Sequence, residues 1–250
     1  MNETIKHQLN HRSIRFFKDQ AVDPQELDLI FQVTQRTATS NGLQLSSMIR
    51  ITDPAQKAKL AEICQQDYVA RAPELVIFLV DLYRAKRILQ EKGYQEENYR
   101  SMDQFFKGVA DAYLAAQNLT TVVESLGLGA VFLGSVLNDS QALVDLLELP
   151  ELTFPLVGVA FGYPDDQPEL KPRMDLDLRL SENTYQVEDD YLDLLADYDQ
   201  EMTHYYDTRK KNQRSDTYTD QLYRQIETVK PKRANLLQVA EDQGFILKNQ

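Results

Sequence analysis

The sequence has few residues that bind transition metals or form covalent crosslinks. Among its 250 residues there is one cysteine, Cys64, and three histidines, His7, His11 and His204. One cysteine cannot form an intramolecular disulfide, which excludes a disulfide-stapled secreted scaffold and suits a reducing compartment. No HExxH or CxxC spacing occurs, so we predict no metal centre. Cys64 is expected to be buried core.

Several other signals are missing as well. No apolar run reaches the roughly 20 residues of a membrane helix, and residues 1–7 lack the apolar stretch of a signal peptide. Neither a GxGxxG turn nor a GxxxxGK[ST] loop is present. We therefore expect a cytoplasmic protein that does not bind membranes and that holds any phosphate with arginine and lysine rather than with a glycine-rich loop.

The net charge is strongly negative. There are 39 acidic and 27 basic residues, a formal charge of −12 at pH 7. Such a chain is repelled by nucleic acid and by anionic membranes, so neither is an expected partner. Any anion site must be built locally, from basic residues that the fold brings together.

The composition is that of a folded chain, with 42% hydrophobic and 26% charged residues. Helical and strand patterns alternate, but the strands are too few for a doubly wound sheet. We predict one α+β domain over residues 1–250, in which residues 165–250 form a C-terminal extension.

Local patterns predict the individual elements. Helices are expected from Asp23-Pro24, over 56–65, over 102–126, over 141–149 and in a last region ending near Gly244, with an exposed helix or excursion over 84–100. Strands are expected at 46–52, 75–80, 130–133 and 155–164, with a turn at Gly134-Ser135. The stretch 165–183 is polar, contains prolines and lacks periodicity, which is typical of a functional loop or of a segment that crosses to a partner.

Two short basic motifs are candidates for holding an anion. His11-Arg12-Ser13-Ile14-Arg15 places two guanidiniums, an imidazole and a hydroxyl within five positions. In Lys171-Pro172-Arg173, proline fixes the backbone between two cations. The alternative is that the first motif is surface arginines and a helix cap, and that the second is an exposed turn.

Two further groups are weaker candidates. The run Arg209 to Arg214 is basic and could capture the 2′-phosphate of NADPH, or it could be a solvated face that balances the acidic segment before it. Amides and hydroxyls at 37–44 and at Gln65-Gln66 could read the polar edge of a flat heterocycle, or could be caps and turns. No catalytic triad or isolated carboxylate pair stands out, which favours chemistry carried by a bound cofactor.

Taken together, several motifs resemble the nitroreductase family, in particular its NADPH-dependent nitroreductase A and flavin reductase branch. They are His11 to Arg15, Leu43 to Asp53, Glu124 to Gly129, and Gly162-Tyr163-Pro164 followed by Leu170 to Arg173. The resemblance keeps the same order from near residue 5 to past residue 220. It implies a central, mostly antiparallel sheet flanked by helices, in an intertwined homodimer with FMN at the subunit interface. The C-terminal extension, residues 165–250, is then expected to wrap the partner subunit and to carry the basic nucleotide loop.

The resemblance also implies roles for individual residues. The expected FMN contacts are His11, Arg12, Ser13, Arg15, Thr39, Gln66, Phe132, Leu133, Gly134, Ser135, Lys171 and Arg173. Arg15 is expected to stabilise the reduced flavin, and Arg209 and Arg214 to bind NADPH. Ser135 departs from the family pattern, which carries glycine there, and Lys230-Pro231 stands where relatives tend to carry Arg-Pro.

The function implied is an FMN-dependent NADPH oxidoreductase that reduces nitroaromatics, quinones or free flavins by a ping-pong hydride-transfer mechanism. Two alternatives stay open at this point. One is a dedicated NADPH:flavin reductase, and the other is a flavin-binding regulatory protein without turnover.

Overall fold

The computed structural model describes residues 1–208 and 216–247 of the chain. They form two compact units. The first comprises the described residues of Met1–Gln167 and Lys230–Gln250, and the second is Pro168–Val229. The predicted 165–250 extension thus divides between the two units, and its wrapping around a partner subunit stays a prediction.

The first unit is built on a four-stranded sheet. Its strands are β1 (Ser46–Arg50), β2 (Glu74–Asp81), β3 (Gly129–Leu133) and β4 (Thr153–Gly162). The order is β1-β2-β4-β3, and every neighbouring pair is antiparallel. The predicted α+β fold with an antiparallel sheet is confirmed. β2 and β4 are buried along their whole length, as their continuous apolar sequences indicate.

Helices of the first unit flank this sheet, and the second unit is helical. In the first unit they are α1 (Glu3–Leu9), α2 (Pro24–Gln35), α3 (Pro54–Cys64), α4 (Tyr83–Glu91), α5 (Met102–Ser125) and α6 (Ser140–Leu146). The second unit contains α7 (Tyr191–Leu194), α8 (Ala196–Thr208) and α9 (Tyr218–Glu227). The chain then returns to the first unit with α10 (Pro231–Ala234) and α11 (Leu236–Asp242). Within the described residues, no helix is both long and apolar enough to cross a membrane.

Local capping explains where the main helices begin. The Asp23 side chain accepts hydrogen bonds from two backbone amides at the start of α2, and Asp53 does the same for one amide of α3. Both helices have proline in the first turn, where no amide hydrogen is needed. The start of α2 and the extent of α5 agree with the sequence prediction, whereas α3 begins at Pro54, two residues before the predicted start at residue 56.

The predicted central helix α5 lies against the sheet. Its buried face carries small residues, including Gly108, Ala112 and Ala116. A side chain at Gly108 would meet Val80 of β2 at 2.7 Å, so glycine permits the close approach of helix and sheet. This position also brings α5 against the loop before β1, where Asp111 contributes to the arrangement described below.

The sequence patterns missed several local features, among them α7 and α8 in the second unit. α1 was missed as well, because its only apolar residues, Ile5 and Leu9, are too few to mark an amphipathic helix, and both are exposed. Residues Gly134–Asp139 form a 3₁₀ helix rather than the expected simple turn. The 3₁₀ helix leads directly from β3 into α6.

Candidate active site

The basic N-terminal motif is attached to the edge of the sheet. Ser13 forms a parallel bridge with Ala130 of β3, and the Ile14 amide donates to the Ala130 carbonyl at 2.9 Å. Ile14 is buried against Gly129, where a Cβ atom would lie 2.5 Å from the Ile14 side chain. Glycine at 129 therefore allows the motif to dock.

His11 and Arg12 are oriented by short local contacts. The His11 Nδ1 atom lies 2.5 Å from a carboxyl oxygen of Glu124 at the end of α5. Arg12 donates from Nη1 to the Asn10 carbonyl at 2.9 Å. The Arg12 Nε atom is buried and has no hydrogen-bond acceptor within the described residues. Arg12 and Glu124 line a cleft of about 560 Å³, together with Lys18 and Gly129.

This arrangement fits the phosphate expected from the sequence. A buried guanidinium N–H without an acceptor is costly, and an anionic oxygen would satisfy it with a charge-assisted hydrogen bond. The motif therefore has the donor set that a phosphate group such as that of FMN requires.

A second cluster forms around Gln66, just after α3. Gln65 ends α3 in the left-handed conformation, with φ of 56°. The Gln66 Oε1 atom accepts a hydrogen bond from the Tyr68 hydroxyl at 3.0 Å and another from the Ser135 hydroxyl at 2.8 Å. Two predicted cofactor residues that are 69 positions apart, Gln66 and Ser135, are thus in direct contact.

Arg15 extends this cluster through Tyr68. Burial raises the pKa of the Tyr68 hydroxyl, and the positive charge of Arg15 opposes that shift by lowering the same pKa. Both side chains line a cleft of about 460 Å³ with Phe17 and Arg71. Arg15, Tyr68, Gln66 and Ser135 therefore form one connected polar group.

Cys64 lies behind this group and is buried, as predicted. Burial raises the pKa of its thiol, and a hydrogen bond with Ser135 acts in the opposite direction. A buried thiol with a raised pKa has little thiolate, which makes it a poor nucleophile. In the part of the chain that the structure describes, no group of three His, Cys, Asp or Glu side chains could hold a metal ion.

The predicted cofactor segment at the end of β3 contains Phe132, Leu133, Gly134 and Ser135. Phe132 is partly buried and Leu133 is fully buried, whereas Gly134 begins the 3₁₀ helix at the surface. Its carbonyl accepts a hydrogen bond from Nη1 of Arg233 in α10 at 3.0 Å. Sequence reasoning missed Arg233, because nothing local indicates a contact with a residue 99 positions away.

The neighbouring residues of α10 reach the same region. Lys230 lies 3.3 Å from the Gln65 side-chain oxygen, and Lys232 pairs with Asp139. The Lys230-Pro231 dipeptide, which departs from the family pattern, therefore lies beside the Gln66 cluster. Lys230 and Arg233 contact the residues that directly precede Gln66 and Ser135 in the chain, namely Gln65 and Gly134.

Thr39 lies in the loop between α2 and β1. It precedes the 3₁₀ turn Ser40–Gly42, and its carbonyl accepts from the Gly42 amide at 3.3 Å. The Asp111 side chain accepts from the Ser40 amide at 2.7 Å and from the Leu45 amide at 2.9 Å. Among the described residues, no hydrogen bond joins Thr39 to the other predicted cofactor residues.

Lys171 and Arg173 belong to the second unit and are exposed. Arg173 donates to the carbonyls of Lys171 and Pro172, and the Lys171 ammonium lies 5.8 Å from the centroid of the Tyr206 ring. Their contact with a cofactor stays a prediction. Arg209 and Arg214, the predicted NADPH contacts, lie outside the described residues.

Comparisons with known proteins agree with these features. The profile of the nitroreductase family matches residues 9–163, and that of the nitroreductase family C-terminal domain matches residues 171–248. The oxygen-insensitive NADPH nitroreductase of Salmonella typhimurium is 37% identical over 246 residues, covering 98% of this chain and 99% of the relative. The FMN reductase (NADPH) of Bacillus subtilis is 35% identical over 249 residues, covering 98% and 99%.

A comparison of the fold with solved structures agrees with the sequence comparisons. The solved structure of B. megaterium NfrA2 superimposes with a TM-score of 0.92 at 30% identity and covers 100% of both chains. The similarity extends over both units, not over the sheet alone. The chain belongs to the nitroreductase family, in its nitroreductase A and flavin reductase branch.

Proposed function

We propose that this protein is an FMN-dependent NADPH oxidoreductase that reduces nitroaromatics, quinones or free flavins by ping-pong turnover. The observation that carries the proposal is the connected group of Arg15, Tyr68, Gln66 and Ser135 beside the docked Arg12 segment. The relatives named NADPH nitroreductase and FMN reductase (NADPH) support the same assignment along nearly the whole chain.

The residues proposed to hold FMN are those expected from the sequence. They are His11, Arg12, Ser13, Arg15, Thr39, Gln66, Phe132, Leu133, Gly134, Ser135, Lys171 and Arg173. Bound FMN supplies the two-electron hydride chemistry that the protein's own side chains do not offer.

The contacts suggest a physical task for His11, Arg12 and Arg15. Glu124 orients the His11 ring, and the Arg12 Nε atom, which has no acceptor within the described residues, offers a donor to the phosphate. Arg15 places a positive charge beside Tyr68, where it stabilises negative charge that develops on the cofactor ring during reduction. A nucleophilic side chain is not required, which agrees with the buried state of Cys64.

We further propose a homodimer located in the cytoplasm, with a small-molecule oxidant as the second substrate. Large apolar side chains are exposed in the second unit, including Leu176, Leu180, Tyr185 and Val187. Exposed apolar groups of this kind are typical of a surface that a second subunit covers. The free thiol of Cys64 suits a reducing compartment.

The direct test is anaerobic reduction by NADPH. We expect the purified protein to carry bound FMN, and addition of NADPH without oxygen to bleach its visible absorption band. Initial rates at varied NADPH and nitroaromatic concentrations should give parallel double-reciprocal lines, as ping-pong kinetics require. A yellow protein that NADPH does not bleach would contradict the enzyme assignment and favour a flavin-binding regulator.

The choice between a broad reductase and a dedicated flavin reductase depends on the oxidant. Steady-state rates with free FMN and with a nitroaromatic compound distinguish the two. An open site that lacks a specific oxidant pocket should reduce both compounds, whereas turnover of free FMN alone would identify a flavin reductase.

A separate prediction concerns nucleotide choice. Replacing Arg209 or Arg214 by alanine should raise the KM for NADPH about tenfold while leaving the KM for NADH nearly unchanged, because only NADPH carries the 2′-phosphate. Arg179→Ala, which removes an exposed arginine of the second unit, is the matched control. If Arg209→Ala raises the KM for NADPH and the KM for NADH equally, the basic run does not bind the 2′-phosphate.

A further inference from the structure

The Gln66 side chain is held in an unusual way for a residue at a binding site. Both lone pairs of its Oε1 atom are used, one by the Tyr68 hydroxyl at 3.0 Å and the other by the Ser135 hydroxyl at 2.8 Å. A side-chain amide has one acceptor oxygen and one NH2 group with two donors. Within residues 1–208 and 216–247, no acceptor for the Gln66 NH2 group is found among the hydrogen bonds of the structure.

Both sides of this contact are fixed by the backbone. The Gln66 amide donates to the Ala61 carbonyl at 3.0 Å, directly after the left-handed residue Gln65. On the other side, Ser135 lies in the first turn of the 3₁₀ helix, and Arg233 holds the carbonyl of the preceding Gly134. Because the backbone fixes both residues, the Ser135 hydroxyl lies within hydrogen-bond distance of the Gln66 amide oxygen.

Tyr68 contributes the second donor. Burial raises the pKa of its hydroxyl, so the group keeps its proton at neutral pH and can donate it to the Gln66 oxygen. A rotation of the amide by 180° would bring its NH2 group against the two hydroxyls, which would then have to accept instead of donate. The positive charge of Arg15 lies beside the Tyr68 oxygen and attracts its lone pairs, so the Tyr68 hydroxyl hydrogen points away from Arg15 and towards the Gln66 oxygen. The amide is therefore locked with its NH2 group on the side that is left unbonded.

We propose that Ser135 is a positioning residue whose hydroxyl, together with that of Tyr68, locks the Gln66 amide so that its NH2 group is the donor offered to the bound cofactor ring. This inference rests on the proposed function. A fixed donor stabilises the ring more strongly in its electron-rich reduced form than in its oxidised form. Ser135 therefore tunes the reduction potential of the flavin without touching it through its own hydroxyl.

The test is a comparison of flavin potentials in serine variants. Ser135→Ala is expected to lower the ratio of reduced-FMN to oxidised-FMN affinity about three- to tenfold, which lowers the two-electron potential by about 14 to 30 mV. Ser135→Thr keeps a hydroxyl, so its flavin potential should lie close to that of the wild-type protein. Ser135→Gly, the residue of the family pattern, is a second variant that removes the hydroxyl from the protein.

The matched control is Ser140→Ala, five residues further along. Ser140 is buried, and its hydroxyl has no hydrogen-bond partner within the described residues. The same change of serine to alanine should leave the potential unchanged there. A general loosening of the segment after β3 would instead shift the potential in both variants.

A double-mutant cycle with Gln66→Ala separates positioning from packing. If Ser135 acts through the amide, Ser135→Ala should have no further effect on the potential once the amide is gone. An equal effect of Ser135→Ala in both backgrounds would overturn the inference, as would a wild-type potential in Ser135→Ala and Ser135→Gly.

FMN binding and the flavin potential distinguish a failure of the positioning role from a failure of the proposed function. If the protein binds FMN and is reduced by NADPH, but its flavin potential does not change in the Ser135 variants, only the positioning role is contradicted. A protein that binds no FMN contradicts the proposed function and this inference together.

Discussion

Replacing Asp111 by alanine is expected to lower the free energy of unfolding by about 3 to 5 kcal/mol. Asp111 is fully buried in α5, and its two carboxyl oxygens accept from the backbone amides of Ser40 and Leu45. A hydrogen bond to such a group contributes about 1.5 to 3 kcal/mol, and the buried Leu45 amide would have no water to replace it. Denaturant unfolding measures the change directly.

Asp28→Ala is the matched control for this prediction. Asp28 is an exposed aspartate within α2, so its replacement should change the free energy of unfolding by no more than about 0.5 kcal/mol. Amide hydrogen exchange adds a local measurement, because the Leu45 amide should lose protection only in Asp111→Ala. A destabilisation below about 1 kcal/mol would show that Asp111 does not hold this loop.

Asp111 also connects stability with the site. The loop that it holds begins next to Thr39 and contains two non-glycine residues with positive φ, Asn41 at 54° and Gln44 at 55°. Residues in this conformation persist only where the surrounding structure fixes them. The position of Thr39, one of the proposed cofactor residues, thus depends on a side chain 72 positions later in the chain.

Local signals explain what the sequence could predict. Asp23-Pro24 predicts the start of α2 through a side-chain cap and a first-turn proline, and the helix begins there. Asp53-Pro54 carries the same signal, but the predicted helix begins only at residue 56, whereas α3 begins at Pro54. The apolar runs of β2 and β4 identify the central strands because each is buried on both faces. Each of these signals lies within the element that it predicts.

The pairings of the site could not be predicted in this way. Three hydrogen bonds join residues that are far apart in sequence, and no spacing rule connects their partners. They link Gln66 with Ser135, Arg233 with Gly134, and Asp111 with Leu45. The resemblance to a family supplied Gln66 and Ser135 as candidates but not their hydrogen bond. Arg233 was missed altogether, although the neighbouring Lys230-Pro231 had been singled out as a departure from the family pattern.

Replacing Arg12 by glutamine is expected to weaken FMN binding about 10- to 100-fold. The Arg12 Nε atom is buried without an acceptor in the described part of the chain, and the guanidinium is fixed through the Asn10 carbonyl. A phosphate oxygen that accepts from it gains a charge-assisted hydrogen bond at a donor that is already oriented. Fluorescence titration of the apoprotein with FMN measures the loss.

The decisive comparison uses riboflavin, which has the same ring system as FMN but no phosphate. If Arg12 binds the phosphate, Arg12→Gln should leave riboflavin affinity nearly unchanged while FMN affinity falls, and added salt should reduce the difference between the variants. Arg36→Gln removes the same charge from an exposed position at the end of α2 and should affect neither ligand. Equal weakening of both ligands by Arg12→Gln would show instead that Arg12 supports the fold of the site, because riboflavin has no phosphate for a guanidinium to bind.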